Sequence, residues 1–183
     1  MATKAQKLKA GHYEVQGETL AKFEFFEAGW NPYQRYLDVD KVDFILRRRD
    51  NLNPKYREIQ VKFGTLFDVD IGWEKKLFDV SSWRFFNAEE FLEFQQQKDL
   101  FLAYVLAHPS GYDGDIFVFP IQVFHSLLSK AVGPTKRKTV WISRSLQDSS
   151  RWYFRIARPF DKIDSSTCIE VTQYRRNFAV LRP

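Results

Sequence analysis

The sequence has little of several residues that mark particular protein classes. Its 183 residues include one cysteine, Cys168, and one methionine. A single cysteine forms neither an intramolecular disulfide nor a zinc cage, so the composition favours a reducing compartment and excludes a disulfide-rich scaffold. Glycine and proline number only 8 and 7, no internal repeat is visible, and 44% of the residues are hydrophobic. A fibrous or disordered chain is therefore excluded.

Long apolar runs are also missing. No stretch approaches the roughly 18 consecutive apolar residues of a membrane-spanning helix. The start, MATKAQKLKAGHYE, is basic and polar, and no apolar run follows it as one would in a signal peptide. We therefore expect a cytoplasmic protein that does not enter a membrane.

Motifs of several enzyme classes are absent. The sequence contains no G-x-S-x-G elbow and no P-loop, so it does not support a serine hydrolase or an NTPase. The three histidines, His12, His108 and His125, are too far apart to form a metal-binding motif, and we expect structural roles for them. Cys168 has no nearby partner and is expected to be a small buried residue.

Charge is distributed unevenly along a chain of one-domain length. Residues 127–183 carry 12 Lys and Arg against 4 Asp and Glu, a net charge of +8, whereas the first 126 residues carry 16 against 19, a net charge of −3. A basic last third suits a polyanion, and acidic groups elsewhere suit a more local role. The alternative is a solvated surface on which the charges are unevenly placed by chance.

Hydrophobic periodicity and turn residues predict an α/β fold, in the order α-β-β-(β)-α-β-β-α-β-β, with a mixed sheet flanked by helices. The helices are expected over 14–28, from 87 to about 96, and over 120–131. The strands are expected over 39–46 and 56–63 with a loop at 47–54 between them, then within 66–86, and over 100–107, 116–119, 138–143 and 152–156.

The predicted hairpin carries an unusual set of polar residues. Strand alternation places Glu58, Gln60 and Lys62 on one face, with apolar residues between them on the other. Asp43 lies in the preceding strand, also among apolar residues, and pairing of the two strands would bring it near Gln60 and Lys62. Glu18 joins them if the first helix packs against the hairpin. The alternative is a set of edge-strand polar residues that face solvent.

Such a set has a chemical use. Mg²⁺ binds oxygen ligands and is commonly held by one or two carboxylates, with water and phosphate completing its shell. The ion polarises a phosphate and lowers the pKa of a bound water. A lysine beside it can orient that water, assist its deprotonation and offset transition-state charge.

These residues resemble the PD-(D/E)XK nuclease superfamily, which includes restriction endonucleases and archaeal Holliday junction resolvases. The resemblance rests on Asp43 in VDFIL and on Gln60, Val61 and Lys62 in EIQVKFG. It implies an αβββαβ restriction-endonuclease-like core over residues 14–120. Residues 121–183 would then be a basic, β-rich and aromatic-rich extension of the same single domain, residues 1–183.

The resemblance also implies roles for individual residues. Asp43 and Gln60, with the carbonyl of Val61, would hold the metal, Lys62 would position the attacking water, and Glu18 would be the assisting glutamate of the first helix. Two positions depart from the family pattern. Val42 replaces the proline of the first motif, and Gln60 replaces the acid of the second.

The glutamine removes one negative charge from the site. Glu58, on the same strand face, is the expected substitute, with Glu18 as the other source of charge. Asp38 and Asp40 compete with Asp43 for the metal, but they precede the apolar run, where loop or capping roles are favoured.

Basic side chains provide candidate contacts with phosphates. They lie in the predicted hairpin tip and in the C-terminal third: Arg47, Arg48, Arg49, Lys136, Arg137, Lys138, Arg151 and Arg155. In the C-terminal third they alternate with Trp141, Trp152, Tyr153 and Phe154, whose rings are either core residues or platforms for unpaired bases. We expect most of these rings to be buried and most of the arginines to be exposed.

Together these observations predict a Mg²⁺-dependent DNA endonuclease, with Mn²⁺ as a second option and no small-molecule cofactor. RNA as a substrate stays open, as does a homodimer, which is common in the family. The alternative is a non-catalytic protein that keeps the nuclease fold and binds nucleic acid or another partner.

Overall fold

The computed structural model of the chain describes residues 4–34, 41–50, 53–94, 96–158 and 162–182. Asp38 and Asp40, the two competitors for the metal role, lie outside the described residues. The helices are α1 (Lys4–Glu27), α2 (Ala88–Leu92) and α3 (Ile121–Lys130). The strands are β1 (Asn31–Gln34), β2 (Phe44–Asp50), β3 (Asn53–Thr65), β4 (Phe67–Asp68), β5 (Phe78–Asn87), β6 (Leu100–His108), β7 (Gly111–Pro120), β8 (Arg137–Ser145), β9 (Trp152–Arg155) and β10 (Cys168–Glu170).

The fold is α/β with a mixed five-stranded central sheet in the order β1-β2-β3-β6-β7. Strands β3 and β6 are parallel, with Gln60 opposite Leu102 and Lys62 opposite Tyr104, and the other neighbours in this sheet are antiparallel. A parallel pair needs a crossover connection, and β5 with α2 lies within it. The expectation of a mixed sheet is confirmed.

A second five-stranded sheet has the order β10-β9-β8-β5-β4. It is antiparallel, and β5 pairs with β8 over most of its length, with Trp83 opposite Trp141. The chain after residue 120 therefore completes a sheet that β4 and β5 began. Strand β10 was not predicted because its three residues are too short for a periodic pattern.

Two apolar cores hold these layers together. One lies between the two sheets and is closed by α2 and α3, with the aromatic rings of Phe86, Phe91 and Phe124 about 5 to 6 Å apart, centroid to centroid. The other lies between the central sheet and α1, where Ala21 and Phe25 are fully buried. Burial of this apolar surface is the main stabilising contribution to the fold.

Gly17 allows α1 to approach the central sheet closely. A Cβ atom at this position would lie 2.9 Å from Cβ of Phe63 on β3. A larger residue would therefore push α1 away from the strand that carries Gln60 and Lys62.

Several element boundaries differ from the prediction. Helix α1 begins at Lys4 rather than at residue 14, because residues 4–13 are mostly good helix formers that lack apolar periodicity. Arg47, Arg48 and Arg49 lie within β2 rather than in a loop, since β2 continues to Asp50. Helix α2 ends at Leu92, earlier than predicted, and is followed by a tight turn in which the Phe94 N–H donates to the Phe91 carbonyl.

Within the described ranges, no helix has the length and apolar content needed to cross a membrane.

Candidate active site at the open edge of strand β3

Strand β3 extends beyond the end of its partner β2. The last bond between them joins the N–H of Asp43 to the carbonyl of Ile59, at 2.9 Å. Beyond this point, residues 60–65 pair with β6 and with no other strand that the structure describes. Their other side is an open edge, where side chains rather than a neighbouring strand contact the backbone.

Val61 directs its peptide groups to this open edge. The N–H of Glu58 donates to the Asp99 carbonyl on the β6 side, whereas the carbonyl of Ile59 faces Asp43. Peptide directions alternate along a strand, so the N–H and carbonyl of Val61 point the same way as those of Ile59. Its N–H donates a 2.5 Å hydrogen bond to Oδ2 of Asp43. The carbonyl of Val61 therefore lies on the same edge as the Asp43 carboxylate.

A cleft of about 510 Å³ lies along the open edge. It brings together four of the residues predicted from the sequence, namely Glu18, Asp43, Val61 and Lys62. The remaining lining residues are Tyr13, Glu14, Phe63, Gly64, Thr65, Phe67, Trp83 and Arg84. A cleft of this size, with acidic and basic side chains on its walls, has room for a phosphate group and a hydrated cation.

Helix α1 supplies two acidic side chains to the cleft. Glu14 and Glu18 are four residues apart, so they lie on the same face of the helix. Glu18 also pairs with Lys22, with 3.4 Å between Oε2 and Nζ. Glu14 was not predicted, although its spacing from Glu18 was a usable signal.

The amine of Lys62 has a lowered pKa. Burial lowers the pKa of its amine, and the positive charge of Arg84 lowers it further. Asp43, Glu90 and Glu14 oppose this effect because their negative charges favour the protonated amine. An amine with a lowered pKa is a better proton acceptor near neutral pH than an ordinary lysine.

Arg84 reaches the cleft from the second sheet. Its Nη1 donates a 2.5 Å hydrogen bond to the carbonyl of Phe63, two residues beyond Val61 on the same open edge. Its guanidinium therefore lies close to the Lys62 side of the cleft. Sequence reasoning missed Arg84 because no local pattern shows that β5 crosses this edge.

Gln60 is buried, with 1% of its surface exposed, and its Oε1 has no hydrogen-bond partner among the described residues. An unsatisfied buried carbonyl oxygen is unfavourable in the absence of a ligand. Glu58 does not share this position. It lines a separate depression with Tyr56, Lys98 and Asp99. The expectation that Glu58 supplies negative charge to the cleft is therefore wrong, and the cleft contains Glu14 in addition to Glu18.

The oxygen donors around the open edge fit a hard divalent cation. Three of them line the cleft, namely the carboxylates of Asp43 and Glu18 and the carbonyl of Val61, and none is a soft ligand. Gln60 is not among the lining residues, and its unpartnered Oε1 is buried on the strand that carries Lys62. In the part of the chain that the structure describes, no three His, Cys, Asp or Glu side chains group closely enough to chelate a metal. A cation here would therefore depend on the carbonyl oxygens as well as the acids.

The basic residues predicted to contact nucleic acid have varied surroundings. Arg155 is buried and bidentate to Glu74, with both N–O distances 3.0 Å, so the expectation that it contacts phosphate is wrong. It is buried because Trp73, Phe78 and Trp141 surround its guanidinium. The others lie nearer the surface: Arg47 and Arg49 in β2, Arg48 beside the Trp30 ring, Lys136 paired with Glu89, Arg137 over the Phe85 ring, Lys138 bonded to the Gly133 carbonyl, and Arg151 paired with Asp148.

The aromatic residues of the C-terminal third divide between core and surface. Trp152 and Phe154 are fully buried in the core between the sheets, which excludes them as stacking platforms. Trp141 and Tyr153 lie on the opposite face of the second sheet and are partly exposed. Cys168 is buried in a small apolar cluster, as expected.

Comparisons with models of protein families, with curated proteins and with solved structures found no match.

Proposed function

We propose that this chain is a Mg²⁺-dependent DNA endonuclease built on a restriction-endonuclease-like core. One observation carries the proposal: Glu18 of α1, Asp43 just before β2 and Lys62 of β3 line one cleft at the open edge of β3. Helix α1, the β2–β3 hairpin and the parallel strand β6 form the scaffold of this edge. Asp43 and Lys62 also carry the resemblance to PD-(D/E)XK nucleases.

The metal would be held by Asp43, Glu18, the Val61 carbonyl and Gln60. When bound, it would polarise the scissile phosphate and lower the pKa of a coordinated water. The hydrogen bond from the Val61 N–H orients the Asp43 carboxylate before any ligand arrives. This arrangement reduces the entropy lost on binding.

Lys62 and Arg84 would act on the reacting phosphate. The lowered pKa of Lys62 increases the fraction of neutral amine, whose Nζ would take a proton from the attacking water. Arg84, held by the Phe63 carbonyl, would place its remaining N–H groups where charge develops on the phosphate oxygens. Hydrolysis of the phosphodiester would leave a free hydroxyl on one product and a phosphate monoester on the other.

A second candidate function is binding of nucleic acid without cleavage. Gln60 favours it, because an amide at this position contributes no charge and weakens the affinity for a cation relative to a carboxylate. The two functions share the cleft and differ in whether a product forms.

The experiment that separates them uses purified protein with supercoiled plasmid, branched DNA and single-stranded DNA. Each substrate is incubated with Mg²⁺, with Mn²⁺ or with EDTA. Metal-dependent nicks or strand breaks support the nuclease. A salt-sensitive gel shift with no product under any condition supports the binding protein and contradicts catalysis.

A further inference from the structure

The second sheet has an outer face, which points away from the core between the two sheets. This face is covered by other residues at one end and exposed to solvent at the other. Near β9, the turn around Glu74 covers it, since the Glu74 carboxylate binds Arg155 there. Ser81 and Ser143 form a fully buried hydroxyl pair, 2.7 Å apart, at this covered end. Toward the other end of β5 and β8, the face has no such cover among the described residues.

Large aromatic rings occupy the bare end. Trp83 and Phe85 are 47% and 45% exposed, values that are high for such side chains. Trp83 lies opposite Trp141 across β5 and β8, with ring centroids 6.0 Å apart and planes inclined at 36°. The ring of Phe67 on β4 packs edge-on against the ring of Trp141, with 6.4 Å between the ring centroids. We call Phe67, Trp83, Phe85 and Trp141 the aromatic face.

One basic side chain, Arg137, lies beside the aromatic face. The outward positions beyond Trp83 and Trp141 are Phe85 and Asn87 on β5 and Thr139 and Arg137 on β8, and none of these positions is acidic. The guanidinium of Arg137 lies 3.7 Å from the Phe85 ring centroid, a close cation–π contact. A ligand on this face would therefore combine flat apolar groups with negative charge.

The aromatic face is continuous with the cleft at β3. Phe67 and Trp83 line that cleft together with Asp43, Lys62 and Arg84. A nucleic-acid strand with a phosphate beside Lys62 would therefore have the Trp83 ring in the wall of the same cleft.

We infer that the aromatic face stacks the unpaired bases of a single-stranded segment, next to the phosphate that the cleft would cleave. The inference rests on the proposed function for its choice of nucleic acid as the ligand, and it narrows the substrate to molecules with a single-stranded region. Bases in a duplex are stacked on each other, whereas unpaired bases expose both faces to aromatic side chains. Arg137 would contact the backbone of the same segment.

The test measures binding without cleavage. Fluorescein-labelled oligothymidylate, and the duplex that it forms with oligoadenylate, are titrated with the full chain in EDTA, and fluorescence anisotropy gives both affinities. Trp83→Ala and Phe85→Ala should each weaken single-strand binding by on the order of tenfold, since each removes one stacking contact. Their duplex affinity should change by less than about twofold. Phe23→Ala is the matched control, because Phe23 is 68% exposed on α1, outside the aromatic face.

The salt dependence of single-strand binding distinguishes the contribution of the aromatic rings from that of Arg137. Trp83→Ala should leave the slope of log affinity against log salt unchanged, because a stacked ring neutralises no phosphate. Arg137→Ala should reduce that slope by about 0.7, as expected for one lost phosphate contact on a single strand.

The inference is overturned if the wild-type chain does not bind oligothymidylate, or if both ring variants bind it as the wild type does. Equal weakening of single-strand and duplex binding also contradicts it, as does dissociation of a homodimer by Trp83→Ala with DNA affinity unchanged. Cleavage is assayed separately with Mg²⁺ and Mn²⁺. An absence of product together with the expected binding pattern contradicts the nuclease alone, and metal-dependent cleavage without that pattern contradicts base stacking alone.

Discussion

The backbone N–H of Val61 donates a 2.5 Å hydrogen bond to the carboxylate of Asp43. This bond connects Asp43, which immediately precedes β2, to the open edge of the strand that carries Lys62. It fixes the carboxylate beside the Val61 carbonyl, where both oxygens can face one ligand.

Asp43→Ala should lower the free energy of unfolding by about 1–3 kcal/mol, because it leaves the partly buried Val61 N–H without its acceptor. Asp43→Asn keeps an acceptor oxygen and should be less destabilising. Urea denaturation of both variants measures the difference. Asp70→Ala, at an exposed position outside the cleft, is the control and should stay within about 0.5 kcal/mol of the wild type. An Asp43→Ala variant as stable as the wild type would show that the bond contributes nothing.

Gln60→Glu introduces the acid that the resemblance to PD-(D/E)XK nucleases would place at residue 60. Under the proposed function, the added charge should lower the Mg²⁺ concentration needed for half-maximal cleavage. The variant should also be less stable than the wild type without metal, since the side chain is 1% exposed and a buried carboxylate is unfavourable. A magnesium titration of the cleavage rate and urea denaturation in EDTA measure the two effects. An unchanged magnesium requirement contradicts a role for residue 60 in cation binding.

Lys62 should make stability depend on pH in the alkaline range. Its pKa is lowered from 10.5 in the folded protein, mainly by burial, so between the lowered pKa and 10.5 the unfolded chain binds a proton that the folded protein does not. The contribution of Lys62 to the unfolding free energy therefore rises with pH across this window, and below the window the burial penalty on the charged amine is fully present. The stability of the wild type relative to Lys62→Met should increase from neutral pH to pH 10.5. Lys130→Met, at an exposed position, should follow the wild type, and a flat or falling difference for Lys62→Met contradicts the lowered pKa.

The buried pair of Arg155 and Glu74 should be a major contributor to stability rather than to nucleic-acid binding. Arg155→Met leaves a buried carboxylate without its partner and should reduce the unfolding free energy by about 3–5 kcal/mol. Arg151→Met removes an exposed partner of Asp148 and should change the stability far less, because solvent screens a surface ion pair. Denaturation curves compare the two, and the double variant Arg155→Met/Glu74→Leu should recover part of the loss. A small effect of Arg155→Met would contradict the structural role.

The local features of the fold were predictable because they depend on neighbouring residues. Asn87 caps α2 by accepting a hydrogen bond from the Glu89 N–H, and the residues that follow Pro120 form α3, both as the sequence indicates. The assignment of 100–107 to a buried strand also holds, as β6 shows. The sorting of strands into two sheets was not predictable, because the pairing of Trp83 with Trp141 joins residues 58 positions apart.

The candidate site shows the same division. Alternation along β3 and the apolar setting of Asp43 predicted that Asp43 lies near Lys62 and Gln60. Asp43 and Lys62 line the same cleft, whereas Gln60 is buried and is not among the lining residues. Arg84 enters from another sheet, and its position follows from packing rather than from local pattern. Glu58 shares a strand face with Lys62 but lies four residues earlier, beyond the cleft.

The most direct test of the proposed metal-dependent site is relaxation of supercoiled plasmid by purified protein in Mg²⁺. The wild type should nick the plasmid in Mg²⁺ and not in EDTA. Asp43→Asn and Lys62→Met should reduce the rate by about 100-fold or more, and the controls Asp70→Asn and Lys130→Met should retain it. Wild-type rates in Asp43→Asn and Lys62→Met, or nicking that persists in EDTA, would contradict the site.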